Sequence, residues 1–217
     1  MISFFVTGTD TGVGKTRISV ALIELLQQHD HRVAGMKPIA SGCELTSQGL
    51  RNDDALQLIR QANVTFPYET VNPYAFKAAI APHIAAHNDN INIDLSTIKQ
   101  AFNQIKQQCD SVVVEGAGGW LVPLNDQQSM ADLAVELALP VILVVDIRLG
   151  CINHALLTVA TIQTTGLKLH GWVANTRQNT PQAEAIISSL KQRIAEPCLG
   201  IVPKLNEHDS AVDYLKL

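Results

Sequence analysis

Aromatic residues are scarce, at 5% of 217 positions, and positive charge is short: 16 Lys and Arg face 20 Asp and Glu, a formal net charge of -4. This balance excludes the basic footprint needed for sequence-independent binding to nucleic acid or anionic lipid. The expected partners are small molecules or a second copy of the chain, with no nucleic acid and no membrane. No apolar run approaches the roughly 20 residues of a spanning helix. The opening MISFFVTG runs into a glycine-rich loop instead of a signal-peptide cleavage site, so the expected location is cytoplasmic. Cysteine is sparse too. Cys43, Cys109, Cys151 and Cys198 lie far apart without a CxxC pair, a pattern of reduced thiols and not of a zinc site or disulfide framework. His83 and His87 could share a helix face, but the Glu of HExxH is missing.

What is abundant is apolar sequence, 47% of the chain, in short runs alternating with helical patterns. The runs are ISFFVTG, HRVAGMKP, SVVVEG, PVILVVD, LHGWVAN and CLGIVP. Continuous runs such as Val112 to Val114 and Val141 to Val145 suit strands covered on both faces, as in a parallel sheet with crossover helices. Helices are predicted over 15–28, 54–62, 95–108, 129–139, 153–164 and 181–194. The fold class expected is a doubly wound, mainly parallel α/β sheet of the P-loop NTPase type, helices on both faces, in one domain over 1–217. Between Phe66 and Ile93 the pattern weakens around Pro67, Pro73 and Pro82, and an insertion above the sheet is expected. The tail after Pro203 is short and polar.

GTDTGVGKT, Gly8 to Thr16, follows a strand and opens a helix. Its backbone N–H groups can wrap a phosphate, with the helix N-terminus adding a favourable dipole. Lys15 would reach the β- and γ-phosphates and the Thr16 hydroxyl would sit on Mg²⁺. The loop is a variant: Thr9 stands at the first glycine position of GxxxxGK[ST] and Gly8 lies one residue earlier. A Mg²⁺ cofactor with ATP as co-substrate needs hard oxygen ligands. Glu115, at a strand end before GAGGW, and Asp54, in RNDDAL, are the candidates, although Asp54 could equally stabilise its own helix start. Lys37 and Ser41 follow the second strand in MKPIASG, where a second cation could neutralise charge on a transferring phosphoryl group.

Together FVTGTDTGVGKT, GMKPIASG, GLRNDDAL, TVNPY, VVVEGAGGW, LPVILVV, LGCINHA and GWVAN resemble the dethiobiotin synthetase family, over most of the chain from Phe5 to Asn175. The resemblance implies ATP-driven closure of a ureido ring, from 7,8-diaminononanoate and CO₂ to dethiobiotin, ADP and phosphate, through a carbamate and a carbamic-phosphoric anhydride. It implies that Gly12, Val13, Gly14, Lys15 and Thr16 hold the phosphates, with Thr16, Asp54 and Glu115 at Mg²⁺. Thr11, Lys15 and Lys37 would act on the carbamate and the moving phosphoryl group, and Ser41 would bind substrate. Glu115, Gly116, Ala117 and Gly118 would line the nucleotide site, and Asn175 would read adenine, joined by Thr176 and by Pro203, Lys204 and Leu205. The family works as a homodimer, so Gly150, Cys151, Ile152 and Asn153 of a second subunit would hold the substrate carboxylate. Thr176 and the PKL of Pro203 to Leu205 depart from the family pattern.

Two other functions share this fold. A partitioning ATPase switch should carry a second lysine near the loop start, where this chain has Thr9, Asp10 and Thr11. An amidating relative would typically need a glutaminase domain, for which this length leaves no room.

Overall fold

The computed structural model describes residues 2–206 and 209–217. In chain order the elements are β1 (Phe4–Gly8), α1 (Lys15–Gln27), β2 (Val33–Met36), β3 (Ile39–Ser41), β4 (Glu44–Thr46), β5 (Gly49–Arg51), α2 (Asp53–Gln61), α3 (Tyr68–Val71), β6 (Tyr74–Phe76), α4 (Pro82–Asn88), α5 (Leu95–Lys106), β7 (Ser111–Gly119), α6 (Met130–Leu137), β8 (Val141–Asp146), α7 (Cys151–Thr164), β9 (Leu169–Asn175), α8 (Ala183–Arg193) and β10 (Cys198–Val202). The six apolar runs form one sheet in the order β10-β9-β8-β1-β7-β2, every pair parallel.

Strand side chains alternate between faces, and the core divides accordingly. Phe5, Val112, Val114, Leu143 and Val145 face an apolar layer that includes residues of α4 to α8, whereas Phe4, Val6, Val113, Ile142 and Val144 face the layer under α1 and Leu58 of α2. The same alternation carries Glu115 to the α1 face, two residues after Val113. Chain order reverses at β1, where α1 leads to β2 on one side of the sheet while β8 to β10 lie on the other. Ligand crevices form at such a switch point, outside the carboxyl ends of the strands.

Register brings the chemistry together there. Val6 of β1 pairs with Glu115 of β7, and Met36 of β2 pairs with Val114, so the phosphate loop, Glu115 and Lys37 emerge side by side. Asp146 and Asn175 end β8 and β9 as paired partners.

Helix ends differ from expectation by one or two residues where caps decide them. Asn52 caps α2 by accepting from the Ala55 amide at 3.2 Å, which starts the helix at Asp53. Ser129 and Asp132 form a capping box, so α6 begins at Met130. Gly150, at φ 89°, turns the chain into α7 at Cys151, two residues before the predicted start. The segment between Phe66 and Ile93 holds α3, β6 and α4, and its Phe76, Ala85, Ala86 and Ile93 are buried in the same layer as α5 and β7. Its elements run to four, three and seven residues, too few for a periodic pattern to register. β3 pairs parallel with β6, and the β4–β5 hairpin projects beside them. In the tail, a 3₁₀ turn over Val212–Tyr214 seats Ala211 and Leu215 in the α1-side core.

Candidate active site

The loop from Gly8 to Thr16 is shaped by its glycines. Gly14, at φ 93°, adopts a conformation disfavoured for other residues. A Cβ there would collide with the side-chain nitrogen of Asn175. That same nitrogen donates to the Val13 carbonyl at 2.8 Å, so β9 props the loop from below. Lys15 curls across the loop and donates to the carbonyls of Asp10 at 3.0 Å and Gly118 at 2.7 Å. Burial and then the neighbouring Lys37 charge lower its pKa to about 8, against the opposing pull of Glu115, Asp54 and Asp10. An ammonium so placed gains from any anion entering the loop.

Behind the loop lies a buried charge cluster. The Lys37 ammonium donates to Glu115 Oε1 at 2.6 Å and to the Gly116 carbonyl at 3.0 Å, with Asp54 Oδ2 at 3.4 Å. Lys37 and Glu115 are 4% and 1% exposed, so neither charge is tolerable without the other. Burial alone would lower the Lys37 pKa, but Glu115 and Asp54 together outweigh it and hold Lys37 above its ordinary range. Thr16 Oγ1 lies 2.7 Å from Asp54 Oδ1 and 3.0 Å from Glu115 Oε1. One hydroxyl proton cannot serve both, and Glu115 Oε2 is buried with no hydrogen-bond partner among the described residues. Three hard oxygen groups thus converge with acceptor capacity to spare, a donor set that fits Mg²⁺. Two carboxylates and one hydroxyl supply at most part of an octahedral shell, so phosphate or water oxygens would complete it.

These groups open into one cleft of about 790 Å³. Thr11, Gly12, Gly14, Lys15, Thr16, Lys37, Ser41, Asp54, Glu115, Ala117 and Gly118 all line it. The Ser41 hydroxyl is buried without a partner among the described residues, as a group awaiting a ligand would be. Val13 instead turns into the α1-side core, and Gly116 acts through its carbonyl to Lys37.

The remaining expected residues lie elsewhere. Thr176, Pro203 and Lys204 line a separate cleft of about 490 Å³ on the β9 and β10 side, with Thr176 bonded through its backbone N–H and hydroxyl to the Val202 carbonyl. Leu205 packs against the α1-side core. Asn175 has one amide hydrogen committed to the Val13 carbonyl, is buried, and lines neither cleft. Gly150, Cys151, Ile152 and Asn153 form the start of α7 and do not line the main cleft of their own chain. Sequence reading passed over Asn52, whose cap places Asp54 in the first helical turn, and over Arg177, which lines the main cleft. The capping signal was present as Asn before Asp-Asp-Ala, but Arg177 is a lone arginine in a loop without a motif.

Residues 3–211 match the sequence family described as an AAA domain. The chain is 50% identical to the ATP-dependent dethiobiotin synthetase BioD of Xanthomonas oryzae pv. oryzae over 204 residues, 93% of this chain and 90% of that protein. It is 49% identical to the protein of that name from Cellvibrio japonicus over 218 residues, 99% and 96% of the two chains. Among solved structures it resembles the MinD cell division protein of Aquifex aeolicus, with a TM-score of 0.58 at 15% identity over 95% of this chain and 84% of that one. It also resembles FtsY of Mycoplasma mycoides, with a TM-score of 0.56 at 17% identity over 100% and 64%. At such low identity these two establish the P-loop NTPase fold and nothing finer.

Proposed function

The chain belongs to the ATP-dependent dethiobiotin synthetase family, and on that premise we propose that it is a cyclo-ligase joining CO₂ to the two amines of 7,8-diaminononanoate at the expense of ATP. The observation that carries the reading is the convergence of Lys15, Lys37 and the Thr16, Asp54 and Glu115 oxygens on one cleft that also holds the unpartnered Ser41 hydroxyl.

In the mechanism proposed, one substrate amine takes up CO₂ as a carbamate, losing a proton. A carbamate oxygen attacks the γ-phosphorus of ATP and ADP leaves, giving the carbamic-phosphoric anhydride. The second amine then attacks the anhydride carbonyl and expels phosphate, closing the ureido ring. Holding two amines side by side makes that step effectively unimolecular. Gly12 to Thr16 bind the phosphates, and Lys15 and Lys37 flank the transferring group, where fixed positive charge counts most. Thr11 lines the same region, and Ser41 hydrogen-bonds substrate. Thr16, Asp54 and Glu115 would hold Mg²⁺, which would neutralise charge on the phosphate oxygens. Glu115 to Gly118 border the nucleotide, and Asn175, Thr176 and Pro203 to Leu205 form its base end.

The proposal includes a homodimer in which Gly150 to Asn153 of one subunit hold the substrate carboxylate of the other. Three features support it. The segment lies outside its own chain's cleft, the amides of Ile152 and Asn153 have no partner among the described residues, and the adjoining Leu149 is 93% exposed. Two unpaired amides at a helix start suit a carboxylate. A single domain and a cytoplasmic location complete the reading.

The test is phosphate release from Mg·ATP and bicarbonate, with and without 7,8-diaminononanoate, while dethiobiotin is followed by mass spectrometry. Equimolar phosphate and dethiobiotin, dependent on the diamine, are expected. ATP turnover independent of the diamine, or none with it, would overturn the assignment.

A further inference from the structure

Two arginines with no role so far line the cleft among the described residues; Arg17 donates to the Asn206 carbonyl at 2.9 Å, which leaves Arg177 unexplained. Arg177 follows β9 by two residues and is exposed, yet its side chain lines the same cleft as Lys15 and Thr16. Its Nη1 lies 3.9 Å from the point a Cβ on Gly12 would occupy, and its Cδ lies 3.6 Å from the corresponding point on Gly14. Both glycines have positive φ, 73° and 93°, in the part of the loop that wraps phosphate. The guanidinium therefore overhangs that stretch of backbone.

Two features bear on its position. Asn175 ties the end of β9 to the Val13 carbonyl, so the segment carrying Arg177 moves with the loop. Asp146, paired in register with Asn175, faces both Arg148 and Arg177, whose charges oppose the upward push of burial on its carboxyl. Arg148 is engaged with Asp10 at 3.1 Å and Asp146 at 3.6 Å. Arg177, by contrast, makes no hydrogen bond or ion pair among the described residues. A planar fork of donors beside an anion-wrapping loop is suited to phosphate oxygens.

We propose that Arg177 is a further nucleotide-binding residue, contacting the α/β-phosphates from the side of the loop opposite Lys37. Lys37 is turned towards Glu115 and Asp54, which leaves the γ-phosphate end to the two lysines and the Gly12–Gly14 flank to Arg177. The proposal rests on the nucleotide-site reading above. Because the contact is to the α-phosphate and to non-bridging β-oxygens, at which no bond is made or broken, it strengthens ground-state and transition-state binding to a similar degree.

The test is calorimetric titration of Mg·ATP and Mg·ADP into wild-type protein and into Arg177→Ala, Arg177→Lys and Arg177→Gln, with steady-state kinetics alongside. Arg177→Ala should weaken ATP and ADP about tenfold each, the scale of one charge-assisted bond at an exposed site. The KM for ATP should rise to match while kcat stays within about twofold. Lysine, which keeps the charge but loses the fork, should recover part of the loss and glutamine little. The proposal is overturned by unchanged affinity in Arg177→Ala, by a loss confined to ATP, by a fall in kcat at constant KM, or by rescue with glutamine but not lysine, which would mark stacking on the base. If the wild type binds neither nucleotide, the nucleotide-site reading fails and this proposal with it. Wild-type binding unaffected by Arg177→Ala sinks only the present inference.

Discussion

Lys37 illustrates how a charge can be structural and chemical at once. Its ammonium neutralises Glu115 in a buried site, so Lys37→Ala should destabilise the nucleotide-free protein by about 3 to 5 kcal/mol, read as a lowered urea midpoint, because it strands a carboxylate. At a temperature where the variant is still folded, turnover should fall about 100-fold or more while ATP affinity changes by less than about threefold. Equal losses of affinity and turnover would assign Lys37 to nucleotide binding instead. Lys15 makes a different prediction, because its pKa is lowered to about 8 from the ordinary 10.5. The folded protein without nucleotide binds fewer protons than the unfolded chain between those values. The cost of charging Lys15 is therefore full below pH 8 and fades as pH rises. Phosphate anions restore the ammonium, so ATP binding should take up about half a proton at pH 8 and more just above it. Titrations in buffers of different ionisation enthalpy would measure that uptake. Its absence in wild type, or its persistence in Lys15→Met, would contradict the coupling.

At the scale of elements, the site depends on how each helix and strand begins and ends. Asn52 fixes the start of α2 and so the position of Asp54 in its first turn, where Asp54 meets Thr16 at 2.7 Å. Asn52→Ala should cost about 1 kcal/mol of stability, the usual value of a lost cap. It should also raise the Mg²⁺ concentration needed for half-maximal activity, although Asn52 itself would not contact the cation. Unchanged metal dependence in a measurably destabilised variant would show that Asp54 is placed by something other than the cap. The end of β9 plays a comparable part, since Asn175 reaches under the loop at the point where only a glycine at position 14 leaves room.

For the whole molecule, the exposed start of α7 is the surface a second subunit would meet. Leu149 is 93% exposed and Leu157, farther along α7, is 60% exposed, an arrangement suited to a partner surface. The protein should sediment as a dimer with or without nucleotide, and the double change Leu149→Asp and Leu157→Asp should shift it to monomer. Such a monomer should keep its circular dichroism and ATP affinity but lose ring closure, because the substrate carboxylate would lack its binding segment. A fully active monomer would remove α7 from the site. Nucleotide-driven dimerisation, in contrast, would move the protein towards the switch class.

The sequence by itself determined the parts of this protein whose physics is local. Apolar runs covered on both faces read as parallel strands, and β8 is buried at all six positions. The phosphate loop and the position of Lys37 directly after β2 were legible for the same reason, since each needs only a strand followed by a particular short string of residues, whereas Glu115, expected at a strand end, is the fifth of nine residues in β7, which runs on through Gly119 because its glycines still pair along β1. Only the tertiary structure decided which of these ends stand together. Strand order is a choice among long-range pairings, and it is the Val6–Glu115 and Met36–Val114 registers that bring Thr16, Glu115 and Lys37 within hydrogen-bonding reach. It also separated Thr176, Pro203 and Lys204 from the main cleft and brought Arg177 into it, because a loop residue's direction follows from the backbone it leaves and not from its neighbours in sequence.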